Sequence, residues 1–254
     1  MTDTLGVQAP AVAVLRDGRP LAIVARGGSA VALAWPGSGS LYRAMHHIQL
    51  EPGGETVPLI HESESVYLVA EGSVRIGDLR AGTHEMVYVP PRVRYRLVAE
   101  EPTSVYGGPC PPDPALYDGT TAPLDEGAGT GRVRVSEPRR DGEPLPMISR
   151  EAWLVVWPGS GADVATMNFV RLEAGEENQP HAHAASDDTI AILEGAGSID
   201  DLDAGETHDF IAGDVVFVRA GVRHKVKADK GVAILSAGGP CPPDYGMLRA
   251  LGLA

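Results

Sequence analysis

Three histidines and two aspartates in the second half of the chain have the types and spacing that chemistry at a metal ion needs. His181 and His183 stand one residue apart in "QPHAHAASDDTIAILEG", Asp187 and Asp188 follow, and His224 comes directly after "GDVVFVRAGVR". Side chains at i and i+2 of a strand share one face, about 7 Å apart. His181 and His183 can therefore turn imidazole nitrogens toward a single ion, with His224 at a further corner. Imidazole and carboxylate together suit Fe, Mn, Ni, Zn or Cu, whereas Ca would demand an oxygen cage.

The elements that must position these residues are strands. The 254 residues include 31 glycines and 21 prolines, spread as punctuation between short apolar or alternating runs such as "SVYLVAEG", "EMVYVPP", "TIAILEG" and "DVVFVRAG". Gly or Pro interrupts almost every window long enough for a helix, so the reading is all-β with little helix. Residues 111–146 are rich in Pro, Gly and charge and read as a long connection with one strand at "RVRVSE".

An internal repeat divides the chain the same way. "AWPGSGS" at Ala34 returns as "VWPGSGA" at Val156, "LEPGGE" at Leu50 as "LEAGEE" at Leu172, and "GGPCPPD" at Gly107 letter for letter at Gly238. Two copies of one β domain follow: residues 1–112, a connection over 113–147, and residues 148–254.

A net charge of −13 without a basic run argues against nucleic acid or anionic lipid as partner, because that affinity comes from clustered Lys and Arg. No stretch approaches the roughly 20 apolar residues of a membrane span. Two cysteines are too few for a disulfide framework and suit a reducing compartment. The expectation is a cytoplasmic protein with a small-molecule partner; a homodimer is compatible with it. Cys110 and Cys241 read as small buried side chains at Pro-rigid corners, and His46, His47 and His208 as surface or turn residues.

The second copy resembles the cupins. Their first motif is matched by Gly175, His181, His183, Asp188 and Gly195, and their second by Gly213, Gly221 and His224. Asp188 stands where the family has Glu, and Arg219 where it has Pro. The resemblance covers nearly the whole chain and implies a bicupin, two tandem double-stranded β-helix barrels, with one divalent transition metal on His181, His183, Asp188 and His224. Fe(II) or Mn(II) is favoured, with Ni or Zn as other fits. Asp187 is the competing carboxylate; the six-residue spacing to Gly195 favours Asp188. In the first copy Leu59, His61, Glu64 or Ser65, and Tyr95 fall at the ligand positions, so that barrel is expected to be a partner or lid.

If His181 and His183 point inward, Ile190, Ile192 and Val226 line the same chamber. On the opposing "TMNFVRLEAG" either Asn168 and Val170 or Met167, Phe169 and Arg171 face in. The substrate-binding candidates are Met167, Phe169, Arg171, Ile190 and Ile192, with Arg171 fitted to an acidic group. The resemblance implies a metal-dependent enzyme on a small organic substrate, foremost an oxidoreductase of the dioxygenase type. A non-redox isomerase, lyase or aminohydrolase, like the bicupin ureidoglycine aminohydrolase, whose ligand set differs, is the alternative. A non-enzymatic small-molecule-binding cupin is a third reading.

Overall fold

The computed structural model describes residues 10–118 and 129–254, so the first nine residues and part of the expected connection lie outside the described chain. Strands dominate, and the α-helices among the described residues are Pro138–Asp141 and Tyr245–Ala250. None of the described helices is long and apolar enough to cross a membrane.

In the first half one ten-stranded antiparallel sheet curls round a core. Its spine is the 12-residue strand Met45–Thr56, which pairs with Val24–Ala34 on one side and Thr103–Cys110 on the other. Ile48, Leu50, Tyr67, Val87 and Val105 fill the interior. In the second half a seven-stranded sheet faces the three strands Ala196–Asp201, Glu206–Ile211 and His224–Ala228, with Ile192, Ile199, Phe210, Val216 and Ile234 between them. The central strands Asp187–Glu194 and Ile234–Cys241 pair over most of their length.

Chain order and sheet membership part company twice. Val12–Leu15 pairs with Val215–Val218 in the second half, while Arg134–Ser136, within the connection, pairs with Met86–Val89 in the first. The first half thus lends an edge strand to the second and the connection lends one to the first, each covering an open edge. The outer sheet faces also meet. Met45, Val66, Leu68 and Tyr106 of one half share a buried cluster with Val155, Met167, Phe169 and Ala237 of the other. Cys110 and Cys241, both free and fully buried, belong to this cluster and meet each other side chain to side chain.

His46 corrects the reading from sequence. It is 1% exposed, its Nε2 lies 2.9 Å from the Tyr117 hydroxyl, and burial, reinforced by the nearby His61, lowers its pKa to about 3. The unfolded chain takes up this proton near pH 6.5, whereas the folded chain refuses it until about pH 3. The stability held at neutral pH is therefore lost as pH falls through that window. Between pH 7 and 4.5 wild type is expected to lose about 2–3 kcal/mol more unfolding free energy than His46→Gln, from two pKa units at 1.36 kcal/mol each. Urea titrations at both pH values measure the difference, and parallel losses would refute it. His47 is half-buried and stacks on Tyr106 at 4.3 Å.

Candidate metal centre

His181 sits in a short bridge rather than a strand. Its N–H donates to the His224 carbonyl at 3.0 Å and its carbonyl accepts from the His224 N–H at 2.8 Å. Two residues on, the His183 carbonyl accepts from Gly221 at 2.7 Å, so the segment from Gly221 to His224 holds both histidines. Asp188 enters from the second position of Asp187–Glu194, paired with Val218 on one side and Pro240 on the other.

One nitrogen or oxygen from each of His181, His183, Asp188 and His224 lies within 4.8 Å of all the others. Asp188 Oδ2 is 3.7 Å from His183 Nε2 and 3.5 Å from His224 Nε2. The three rings are aimed by their far nitrogens. Nδ1 of His181 donates to the Gln179 carbonyl at 2.9 Å, that of His183 to Asp244 Oδ2 at 2.8 Å, and that of His224 to the Val222 carbonyl at 3.0 Å. With the proton on Nδ1, each neutral ring turns its Nε2 lone pair to the common centre, the arrangement that supports a metal-binding imidazole.

Burial alone would push the Asp188 carboxyl upward, but the facing His224, His183 and His181 rings outweigh it and hold the group at about 2. Burial lowers His181. The His183 hydrogen bond holds Asp244 at about 2. Asp188 Oδ1 and His224 Nε2 are buried without a hydrogen-bond partner, although buried polar atoms are seldom left so. Three imidazoles and a carboxylate carrying such orphaned lone pairs fit a divalent transition metal.

Asp187 turns to the opposite face. Its Oδ1 accepts from the Ala220 N–H at 3.1 Å, its carboxylate also accepts from the Leu41 N–H, and burial raises its pKa. Of the two aspartates, Asp188 is the one that lies beside the three histidines.

The group opens on a cavity of 430 Å³. Strand parity puts Asn168, Val170 and Leu172 into it, together with Ile190 and Val226. Met167 and Phe169, expected as candidates, lie on the other face in the cluster between the halves. Arg171 likewise points away, with Glu173 at 2.8 Å. The strand "MNFVRL" turns two apolar residues and one polar residue toward each face, one face closing the cavity and the other meeting the first half. Ile192 follows Ile190 but lies beyond the cavity in the barrel core. Sequence reading missed the roof, where Met147 at the end of the connection, Ile148 just after it and Met247 of the helix Tyr245–Ala250 close over the site. It also missed Asp244, although "GGPCPPD" carried the signal: the last residue of each copy accepts from a histidine, Asp113 from His61 at 2.9 Å and Asp244 from His183 at 2.8 Å.

The first half repeats the frame with His61 as the one remaining donor of the four. A bridge joins Leu59 to Tyr95 as another joins His181 to His224. Ser65 pairs with Pro109 as Asp188 pairs with Pro240, which places Ser65, not Glu64, at the carboxylate position. The Tyr67 and Tyr95 hydroxyls meet there at 2.6 Å. Among the described residues, His181, His183, Asp188 and His224 form the one cluster of three or more metal-ligating side chains.

Residues 168–237 match the cupin domain. Solved cupin structures align over nearly the whole chain. They include the oxalate decarboxylase of Bacillus subtilis, with its Mn(II) centres, at TM-score 0.66 and 14% identity, over 94% of this chain and 79% of that one. The Lactobacillus farciminis oxalate decarboxylase in complex with formate aligns at TM-score 0.70 and 10% identity, over 94% and 88%. Procruciferin, an 11S globulin of Brassica napus, aligns at 0.69 and 8%, over 95% and 87%. No curated protein matches the sequence. At these identities the likeness establishes the cupin fold and leaves the chemistry to the site.

Proposed function

We propose that this protein is a metal-dependent oxidoreductase of the dioxygenase type, acting on a small organic molecule in the C-terminal barrel with Fe(II) or Mn(II) on His181, His183, Asp188 and His224. The observation that carries the reading is the Asp188 carboxylate, buried among three aimed imidazoles with one oxygen lacking a partner. Its charge lowers the net charge of the centre, which favours a redox metal over a strong Lewis acid. A bound Fe(II) or Mn(II) would supply one-electron chemistry and open coordination positions.

The chain's own residues aim the donors and line the chamber largely with apolar side chains. Hydrolytic chemistry finds less support. Apart from the four candidate ligands, Asp244 is the ionisable side chain among the described lining residues, and His183 already engages it; no carboxylate or imidazole is left there as a separate general base. Oxalate, which the decarboxylase neighbours act on, is not carried over, because those proteins share only the fold with this chain.

Protein purified without chelators is expected to contain about one Fe or Mn per chain by elemental analysis, and none after the joint substitution His181→Ala, His183→Ala. Nitric oxide added to the Fe(II)-loaded protein should give the electron-spin signal of an exchangeable coordination position. Zinc as the native metal would overturn the redox reading; no metal, or two per chain, would overturn the site.

A further inference from the structure

The walls of the cavity carry information about the ligand that the metal donors do not. Val170, Leu172 and Ile190 form one side, and Met147, Ile148 and Met247 roof it. Among the described residues lining it there is no lysine and no arginine. The nearest candidate, Arg171, turns outward to Glu173. Two carboxylates do line it, Asp188 at the metal position and Asp244 behind His183. With three neutral imidazoles, these two negative charges already balance a dication.

Any further negative charge on a ligand would be buried here without a counter-ion, and an unpaired buried charge is among the costliest arrangements in a protein. The polar wall group beyond the candidate ligands that lacks a partner is neutral: Asn168 is 4% exposed and its Oδ1 is unsatisfied. At roughly 30 Å³ for each water-sized unit, 430 Å³ holds a molecule of about ten to fifteen non-hydrogen atoms.

Resting on the metal reading above, we infer that the substrate is an uncharged molecule with an apolar body, which meets the metal through an oxygen-bearing head and leaves its tail among Val170, Ile190, Ile148 and Met247. The roof residues set the specificity. Met147, Ile148 and Met247 are half-buried, so they can be changed without opening the barrel core.

The test uses the full chain loaded with Mn(II) and titrated calorimetrically with straight-chain primary amides, whose carbonyl head can meet a metal without losing a proton and whose tail can be varied. From acetamide to hexanamide, affinity is expected to rise about threefold to fourfold per methylene, the equivalent of about 0.8 kcal/mol per buried CH₂. Replacing the terminal methyl of hexanamide by a carboxylate should weaken binding at least tenfold, and Met247→Lys should recover most of that loss. A flat chain-length series, or a carboxylate tail that binds as well as the methyl tail, would overturn the inference while leaving the metal site standing. Failure of Mn(II) to load would overturn both, and elemental analysis of the same samples tells the two cases apart.

Discussion

Asp188→Ala is expected to weaken metal binding at least 10- to 100-fold and to leave the protein folded, whereas Asp187→Ala keeps metal affinity within a few-fold of wild type and destabilises the fold. The two aspartates are neighbours on one strand, so their side chains leave on opposite faces. Asp188 lies 3.5 Å from His224 and 3.7 Å from His183, with its Oδ1 unpartnered. Removing it takes away the one negative charge in the donor set, and even losing a residue that only supports a metal ligand typically costs about 10- to 100-fold. It breaks no hydrogen bond to the backbone. Asp187 accepts from the N–H groups of Ala220 and Leu41, so alanine there strands two donors at about 1–3 kcal/mol each. Competition with a calibrated chelator reads the first effect and chemical denaturation the second. Equal metal affinity for Asp188→Ala and wild type would remove Asp188 from the site, and a larger loss at Asp187 would mean that the wrong aspartate had been chosen.

This pair also shows what sequence can and cannot carry. The spacing from His181 through Gly195 and on to His224 is a local property of strands and turns, so the donors were legible before any coordinates. The walls were not. In "MNFVRL" each face carries two apolar residues and one polar one, so alternation has no polar side to read, and Met167 and Phe169 stood level with Asn168 and Val170. The roof joins Met147 and Ile148 to Met247, about a hundred residues later, a contact no local pattern encodes. Val12–Leu15 is a short, wholly apolar run, and nothing in four residues says that its partner is Val215–Val218. His46 was misread because a histidine in a polar pair resembles a surface residue, until its strand proves to be the spine of the first barrel.

The halves are joined by more than apolar contact, and the strongest single joint is expected to be Glu64. It is 3% exposed. Its Oε1 accepts from the Tyr88 hydroxyl at 2.6 Å and from the Asp163 N–H at 2.6 Å, and its Oε2 accepts from the N–H groups of Val164 at 2.7 Å and Ala165 at 2.6 Å. One carboxylate of the first barrel thus satisfies three consecutive backbone donors of the second. Asp187 does the reverse on a smaller scale, accepting from Leu41 of the first barrel. Glu64→Ala leaves three peptide N–H groups and a phenol without an acceptor in a buried place, where each orphan costs about 1–3 kcal/mol; relaxation and water entry reduce the sum, and about 3–5 kcal/mol of lost stability is expected. For a chain of this size that is a fall in Tm of about 6–20 °C by calorimetry, larger than the fall for Asp187→Ala because more donors are stranded. Metal content measured well below the transition should be unchanged, since Glu64 belongs to the first barrel and holds none of the candidate ligands. A Tm within about 2 °C of wild type would show that the remaining contacts hold the barrels together without Glu64; metal lost together with stability would show that the site depends on the first barrel's clamp on residues 163–165.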